Sequence, residues 1–313
     1  MRPLWKLLLC LCVTSQVACQ PLKTVNVNVV GDDGNPIEGA EVVVWFYGYQ
    51  PEDSKSDEGL TDEEGKFQAQ GRPKLGMLVR INKKGYYQTE KDRLPMTEEQ
   101  DQRLTLRKKI KPIPLYAKRY FGTLPSIGPA YGFDFQVGDW VHPDGKGKNP
   151  DIFFRAIELQ NENGEWGGRL EVSFNQEEEG VLFIEEGFYP LSKMVMPHFA
   201  PKKGYKYEYV REEFGYQNEN KEKDGSFFFR TRKKTLPDGK VIFCHTKFYN
   251  GLSFLMGGGK FVEEKNREIS PVEMARIEFT YAFNPTPGDR NLEFNTSQNL
   301  MSGLDSAEKV RQP

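Results

Sequence analysis

Apolar and polar residues alternate with a period of two along most of the chain, and short turn-forming segments separate the alternating stretches. Thr24 to Val30 is the clearest case, because valine occupies every second position, as in a strand with one buried face. Ala40 to Tyr47 is a continuous apolar run that predicts a more deeply buried strand. Together with Met77 to Ile81 and Leu104 to Leu106, these segments predict a first module of short strands over residues 23–108.

The remainder of the chain repeats this pattern on a larger scale. Asp-Gly and Asn-Gly pairs favour the tight hairpin turns that match strand twist, and Asp238-Gly239 between two apolar stretches gives the strongest hairpin signal. The predicted strands of this region are Ile152 to Leu159, Arg169 to Phe174, Gly180 to Ile184, Tyr205 to Val210, Ser226 to Lys233, Lys240 to Phe248 and Ala275 to Phe283.

Prolines and charge divide the two regions. Pro112-Ile113-Pro114 follows a strongly charged stretch and restricts the backbone, which predicts a semi-stiff linker at residues 109–117. A second all-β domain is then expected at residues 118–298, and the polar residues 299–313 predict a disordered tail.

Three segments of the first module have the spacing of a known family motif. They are Asp33-x-x-Pro36-Ile37-x-Gly39-Ala40-x-Val42, Thr61-Asp62-x-x-Gly65-x-Phe67 and Lys84-Gly85-Tyr86. Their order resembles the carboxypeptidase regulatory-like domain, which implies a transthyretin-like sandwich in which these positions shape turns and core. Such domains are accessory and carry no catalytic set. The expected fold class is therefore all-β, with a transthyretin-like or Ig-like sandwich followed by a larger antiparallel sandwich or jelly-roll.

Residues 1–19 have the features of a secretory signal. Arg2 and Lys6 precede a short apolar core that ends at Val13, and Val17-Ala18-Cys19 supplies small residues for cleavage. The chain is therefore expected to be exported to the periplasm, the outer-membrane surface or the medium. Val17, Ala18 and Cys19 resemble a bacterial lipobox, although Gln16 stands where leucine is usual. Lipidation of Cys19 and plain cleavage nearby both remain open.

Composition narrows the chemistry. Of four cysteines, Cys10 and Cys12 lie in the signal and Cys19 at its end, so Cys244 alone remains in the body, where its apolar neighbours predict a buried thiol. The net charge of −2 does not favour nucleic-acid binding. Removal of the signal leaves no apolar stretch of about 20 residues, so only a lipid on Cys19 would connect the chain to a membrane.

Side chains that commonly carry catalysis are scattered. His142, His198 and His245 show no metal-ligand spacing, and His198 reads as a packed loop residue and His245 as a solvent-facing strand residue. No cofactor is expected, and an enzyme is less favoured than a binding or structural protein. The hydrolase alternative depends on paired carboxylates across a cleft. The candidates are Glu177-Glu178-Glu179, Glu185-Glu186, Asp134 and Asp139.

Acidic residues at the turns of the first module offer a further alternative. Asp32, Asp33, Asp62, Glu63 and Glu64 could supply oxygen ligands to calcium, but no stretch has the spacing of a known calcium loop. The favoured interpretation is that these residues form the turns themselves.

Aromatic residues of the second region support a sugar-binding hypothesis, since flat aromatic faces stack on the apolar faces of sugar rings. Tyr205, Tyr207 and Tyr209 alternate strictly and would share one face of a strand, and Trp140 and Trp166 would extend the aromatic surface. An ordinary buried core face explains the same alternation. The expected partners are accordingly a cell-surface glycan or another envelope protein, and the function is a non-catalytic binding or structural role in the envelope.

Overall fold

The computed structural model describes residues 21–94, 99–164, 166–185, 191–214, 225–257 and 274–313, so the export signal and Cys19 lie outside the described residues. The described chain is built from β-strands, which confirms the all-β class. The strands are β1 Lys23–Gly31, β2 Glu41–Tyr47, β3 Lys55–Leu60, β4 Lys66–Gly71, β5 Gly76–Asn82, β6 Tyr86–Tyr87, β7 Thr89–Leu94, β8 Glu99–Lys108, β9 Ile113–Thr123, β10 Ala130–Asp134, β11 Asp139–Trp140, β12 Ile152–Gln160, β13 Trp166–Ser173, β14 Gly180–Glu185, β15 Tyr209–Phe214, β16 Gly225–Thr235, β17 Val241–Gly257, β18 Met274–Asn284 and β19 Phe294–Asn299.

The chain divides into two compact units. The first contains residues up to Lys83 together with Thr89–Leu106, and the second contains Lys84–Gln88 together with Arg107–Pro313. The division falls inside β8, whose last two residues pair with the short β6 in the second unit.

The first unit contains two sheets, one in the order β3-β2-β5-β7 and one that includes β4, β1 and β8. Valines at alternate positions of β1 and β2 are buried, as the period-two pattern predicts. The sheets approach closely where the Phe46 ring lies over Gly71, since a Cβ at that glycine would come within 2.3 Å of the ring. At this point the packing of the two sheets therefore depends on a small residue opposite a large one.

Motif positions of the first unit form its turns. Thr61 is buried, and its Oγ1 accepts a hydrogen bond from the Ala40 amide at 2.8 Å and donates one to the Ile37 carbonyl at 2.6 Å. Gly65 has φ of +73°, and a side chain there would meet the Val29 carbonyl oxygen at 2.4 Å. Asp62 accepts hydrogen bonds from the Glu64 and Lys66 amides, so it stabilises a turn.

The second unit pairs a five-stranded sheet, β11-β10-β12-β13-β15, with a six-stranded sheet, β14-β16-β17-β18-β9-β19. An aromatic core lies between them, and the Phe248 and Phe279 rings stack at 4.5 Å while Phe133 and Phe154 approach Phe279 from the five-stranded sheet. The predicted hairpin at Asp238-Gly239 is confirmed, with Gly239 at φ +79° and the Lys240 amide bonded to the Asp238 carboxylate.

Two predicted irregular segments are instead ordered. Residues 113–117 of the expected linker form the start of β9, since Leu115 and Ala117 continue its buried alternation. The expected disordered tail is held by Asn299, whose side chain donates to the Ala117 carbonyl at 2.7 Å and accepts from its amide, and by buried Val310. The polar composition of residues 299–313 predicted disorder. It could not reveal that single side chains, Asn299 and Val310, fix this segment to the rest of the unit.

The outer face of the six-stranded sheet is covered at one end. Met196, Ala200, Leu292 and Val310 pack there on side chains from the sheet and, together with Phe294 at the start of the edge strand β19, form an outer cluster. We call this part of the face the covered end; its sheet residues are Leu115, Ala117, Lys247, Tyr249 and Ala282.

Candidate binding groove

Beyond the covered end, strands β17, β18 and β9 continue into an open groove of about 780 Å³ on the same outer face. The strand register aligns the side chains in rows across the groove: Ser253 pairs with Glu278, and Glu278 with Phe121. The next row is Leu255, Arg276 and Thr123, and Arg119 lies at the boundary with the covered end.

Apolar side chains in the groove are exposed to solvent. Phe121 is 56% exposed and Leu255 is 49% exposed, whereas the neighbouring Leu252 and Phe254 point to the opposite face and are buried in the aromatic core. The groove therefore combines an exposed ring with the hydroxyls of Thr123 and Ser253 on a hydrogen-bonded sheet.

Basic side chains dominate the charge of the groove. Arg119 donates from Nε to Glu278 Oε1 at 2.8 Å, whereas exposed Arg276 forms no ion pair with any described residue. A second concavity of about 680 Å³ shares Arg119 and Glu278 and adds the exposed Lys309 and Arg311. Four basic side chains thus face one acidic side chain, in a chain whose net charge is −2.

The segment that carries Lys309 and Arg311 is fixed along the groove by three contacts. Val310 packs in the outer cluster, the Arg119 amide donates to the Glu308 carbonyl at 2.8 Å, and Glu308 Oε1 lies 2.9 Å from Lys118 Nζ. The two basic side chains are therefore held on an anchored backbone beside the sheet.

A buried polar cluster lies beside the covered end. Glu293 is fully buried and accepts hydrogen bonds from the Tyr87 hydroxyl at 2.7 Å and from the Ile110 and Lys111 amides at 3.0 and 2.6 Å. Burial and this hydrogen bond to Glu293 raise the pKa of Tyr87. The Glu293 carboxylate thus anchors the segment that enters β9.

Arg107 and His198 form the other part of this cluster. Arg107 Nη1 donates to the carbonyls of Met194 and Met196, both at 2.6 Å, and its Nη2 lies 3.1 Å from His198 Nδ1. His198 Nε2 lies 2.9 Å from the Lys108 carbonyl oxygen. The prediction that His198 is a packed loop residue is confirmed.

Lys247 is the exception among these polar groups. It is fully buried, and its Nζ has no hydrogen-bond partner among the described residues, although it lies 4.7 Å from the centre of the Tyr249 ring. Burial, assisted by the positive charge of Arg107, lowers the pKa of Lys247 to about 7, and Glu293 opposes that effect.

The predicted tyrosine row does not form. Only Tyr209 belongs to a strand; it packs 5.0 Å from Phe227 in the aromatic core, whereas Tyr205 packs in the outer cluster on the other side of the six-stranded sheet. Tyr207 is 50% exposed, and its hydroxyl donates to the Phe174 carbonyl at 2.8 Å. The expected strand begins four residues later than predicted, because residues 205–208 form an irregular segment that precedes β15.

The two predicted tryptophans occupy different environments. Trp140 is only 5% exposed and packs edge-on against Phe133 and Phe154, so it is a core residue rather than part of an exposed surface. Trp166 begins β13 and is 54% exposed. Trp166 and Tyr207 are therefore the exposed members of the predicted set.

Of the carboxylates considered for hydrolysis, Asp134 and Glu179 serve the fold, and Glu186 lies outside the described residues. Asp134 accepts hydrogen bonds from four backbone amides and pairs with Arg232 Nη2 at 3.1 Å. Asp151 is buried and contacts Arg232 Nε at 2.7 Å, while Arg232 itself adopts φ of +53° in a bulge of β16. Glu179 is also buried and accepts from the Lys233 amide at 2.9 Å.

His245 and Cys244 lie side by side on β17 and face opposite sides of the sheet. The prediction of a solvent-facing His245 is wrong: it is 5% exposed, because the outer face is also covered, and burial lowers its pKa to about 4. Cys244 is a buried thiol, as predicted, with a pKa raised by burial to about 11.

Within the described ranges, no group of three or more His, Cys, Asp or Glu side chains could hold a metal.

The groove residues escaped the sequence prediction. Arg276-Ile277-Glu278-Phe279 alternates charged with apolar residues, which signals one solvent-facing side of a strand. Phe121 gives no such signal, since its exposure depends on where the cover of the outer face ends. The pairing of β9 with β18 also joins residues that are far apart in the sequence.

No protein-family model and no curated protein sequence matches this chain. Solved structures with some likeness include a mutant of the shaft pilin spaA from Lactobacillus rhamnosus GG, 10% identical, which covers 74% of this chain and 94% of that chain at a TM-score of 0.22. The major pilin subunit BcpA of Bacillus cereus is 10% identical, covering 89% of this chain and 97% of its own, at 0.21. A protein from Bacteroides uniformis described as a carbohydrate-binding candidate is 8% identical, covering 83% and 98%, at 0.21.

Likenesses at these TM-scores are too weak to carry a conclusion on the fold or function of this chain.

Among the described residues, no helix has the length and apolar character needed to cross a membrane.

Proposed function

We propose that this chain is an exported protein of the bacterial cell envelope with a non-catalytic binding role. The observation that supports binding is the groove on the outer face of the six-stranded sheet, where Phe121 and Leu255 are exposed beside Arg276, which forms no ion pair with a described residue. Exposed apolar side chains grouped with polar ones commonly mark interaction surfaces. The hydrogen-bonded strands beneath hold these side chains in fixed positions.

Three buried acidic side chains of the second unit support binding over hydrolysis. A hydrolase of the two-carboxylate type needs carboxyl groups that face a substrate cleft. Asp134, Asp151 and Glu179 direct their oxygens to backbone amides and to Arg232 instead. Their hydrogen-bonding capacity is therefore used within the fold.

Export is supported by the sequence of the first 19 residues, which combines a basic start, a short apolar core and small residues before Cys19. If Cys19 is acylated with two or more chains, the protein is held stably at a membrane surface, whereas a single chain anchors only marginally. Without acylation it is released to the periplasm or medium.

The first unit is proposed to be a carboxypeptidase regulatory-like domain of accessory function. The roles of its motif residues support this: Thr61, Asp62 and Gly65 stabilise turns, as the resemblance implies. We infer that this unit has an accessory role and does not itself act on a substrate.

Expression of the full chain in a bacterial host tests the envelope assignment. We expect the mature protein in the envelope or medium fraction. Its intact mass should correspond to a chain that begins at Cys19, Gln20 or Pro21. A lipid-modified mass that is lost in the Cys19→Ser variant would identify a lipoprotein. Full-length, unprocessed protein in the cytoplasm would contradict export.

A further inference from the structure

We propose that the groove formed by β9, β17 and β18 binds an acidic polysaccharide, with its carboxylate or sulfate groups on the basic side chains and a sugar ring on Phe121. This inference rests on the proposed binding function and adds the class of ligand. Arg276 is central to it, because it lies in the row next to Phe121 and has no ion-pair partner among the described residues.

Charge complementarity points to an anion. Arg119 is partly neutralised by Glu278, but Arg276, Lys309 and Arg311 are exposed and form no ion pair with described residues. Glu308, the nearest acidic residue of the anchored segment, is paired with Lys118. An arginine that is free of a protein carboxylate can bind a carboxylate or sulfate through two parallel hydrogen bonds.

Sheet topology gives an extended peptide no free edge at β18, the central strand of the groove. A peptide that joins a sheet as an added strand needs a free edge with unpaired backbone groups. Here β18 lies between β17 and β9 and is paired on both sides along the groove. Among the described strands, β17 from Leu252 onward and β9 from Arg119 to Thr123 pair with β18 alone. On the face of β18, recognition must therefore come from side chains, and the polyglutamate titration tests binding of a peptide instead.

The side chains available suit a sugar. Phe121 presents an exposed ring, and aromatic rings pack on the apolar faces of pyranoses. Thr123 and Ser253 flank it with hydroxyls that can donate to and accept from sugar hydroxyls. Leu255 adds an apolar contact in the same row as Arg276.

The shape of the site suits a polymer. The groove of about 780 Å³ and the second concavity of about 680 Å³ share Arg119, Ser253 and Glu278, so they form one elongated depression. Single small-molecule sites measure roughly 300–1,000 Å³. The joined depression has room for several linked sugar rings, with basic groups at both of its ends.

Titration of the full chain with polygalacturonate, followed by isothermal calorimetry at two salt concentrations, tests the proposal. We expect binding that weakens as salt increases, because salt screens exposed charges, and no binding of neutral dextran. Arg276→Glu and Phe121→Ala should each weaken binding about tenfold or more. The matched controls are Arg103→Glu and Tyr49→Ala, an exposed arginine and an exposed aromatic of the first unit; both should bind as the parent does.

Three results would overturn the proposal: no binding of polygalacturonate or of a sulfated polysaccharide by the folded parent, binding that survives both groove substitutions, or equal binding of polyglutamate that is insensitive to Phe121→Ala. The last result would identify a general site for acidic peptides. Circular dichroism and thermal denaturation of each variant exclude misfolding as the cause of a loss. Cell fractionation tests the envelope assignment separately, so either conclusion can fail without the other.

Discussion

The two ends of the outer face of the six-stranded sheet are built by the same strands, and yet side chains at one end are buried while side chains at the other are exposed to solvent. At the covered end, Leu115 on β9 and Tyr249 on β17 are buried under the outer cluster. Six residues further along β9, Phe121 points to the same side and is exposed. Strand pairing alone therefore does not decide burial; the chain segments that cross the sheet decide it.

The difference matters most for polar side chains. Removal of a polar group from water costs free energy unless a hydrogen bond replaces the lost hydration. Glu293 has three such hydrogen bonds, whereas Lys247 has none among the described residues. In the groove, Arg276 and Glu278 keep contact with water. Substitutions should therefore change stability at the covered end and ligand binding at the open groove.

Glu293→Ala should have the largest destabilising effect, with a loss of about 3–5 kcal/mol in the free energy of unfolding, as expected when one member of a buried polar network is removed. The Tyr87 hydroxyl and the Ile110 and Lys111 amides would lose their common acceptor. Urea denaturation measures the loss. Glu278→Ala in the groove is the control and should cost under about 1 kcal/mol, as for exposed ion pairs. A loss below 1 kcal/mol for Glu293→Ala would contradict this account of the covered end.

Lys247→Met should stabilise the protein at pH 7, because it replaces a buried amine that has no hydrogen-bond partner with an apolar side chain of similar length. A pKa difference of one unit corresponds to about 1.4 kcal/mol, so the fall of the Lys247 pKa from 10.5 to about 7 suggests a gain on the order of 5 kcal/mol. Urea denaturation of parent and variant measures it.

The pH dependence of this gain provides a second measurement. Between pH 7 and 10.5 the unfolded lysine holds a proton that the folded one has lost, so the free energy of unfolding of the parent rises with pH. The advantage of Lys247→Met should therefore be full at and below pH 7 and decrease towards pH 10.5. An advantage that is constant across this range would show that Lys247 stays protonated in the fold.

His245→Gln should change the acid limb of the stability profile. The folded His245 has its pKa lowered to about 4, whereas the unfolded side chain takes up a proton near 6.5. As pH falls from 6.5 to 4, the parent should lose about 3 kcal/mol that the glutamine variant retains. Asp289, Arg290 and Arg230 face His245 and are common to both proteins, so their effects cancel in the comparison. Parallel acid profiles would contradict the prediction.

The sequence predicts strands well where one face is buried, and less well where both faces are covered. Alternation located most strands of the second unit within a few residues, and the Asp238-Gly239 turn joined two of them correctly. His245 was predicted to face solvent because alternation with a period of two indicates that only one face of a strand is buried. The residues that cover His245 come from a distant part of the chain, so no local pattern reports them.

The candidate site was less accessible to prediction than the fold. Tyr205 and Tyr209 alternate like members of one strand face, but the chain takes an irregular path before β15 and directs them to opposite sides of the six-stranded sheet. Phe121 resembles any core phenylalanine in the sequence. Its exposure follows from the end of the outer cluster, which is a tertiary property.

Phe121→Ala should have the smallest effect on stability, because an exposed ring loses little burial when it is truncated. We expect a change within about 0.5 kcal/mol, as for surface substitutions. Leu115→Ala, on the same side of the same strand, is the matched comparison and should cost about 2–5 kcal/mol. Thermal and urea denaturation of both variants measure the contrast. A loss above 1.5 kcal/mol for Phe121→Ala would mean that the groove is covered in solution, and would remove the exposed ring on which polysaccharide binding depends.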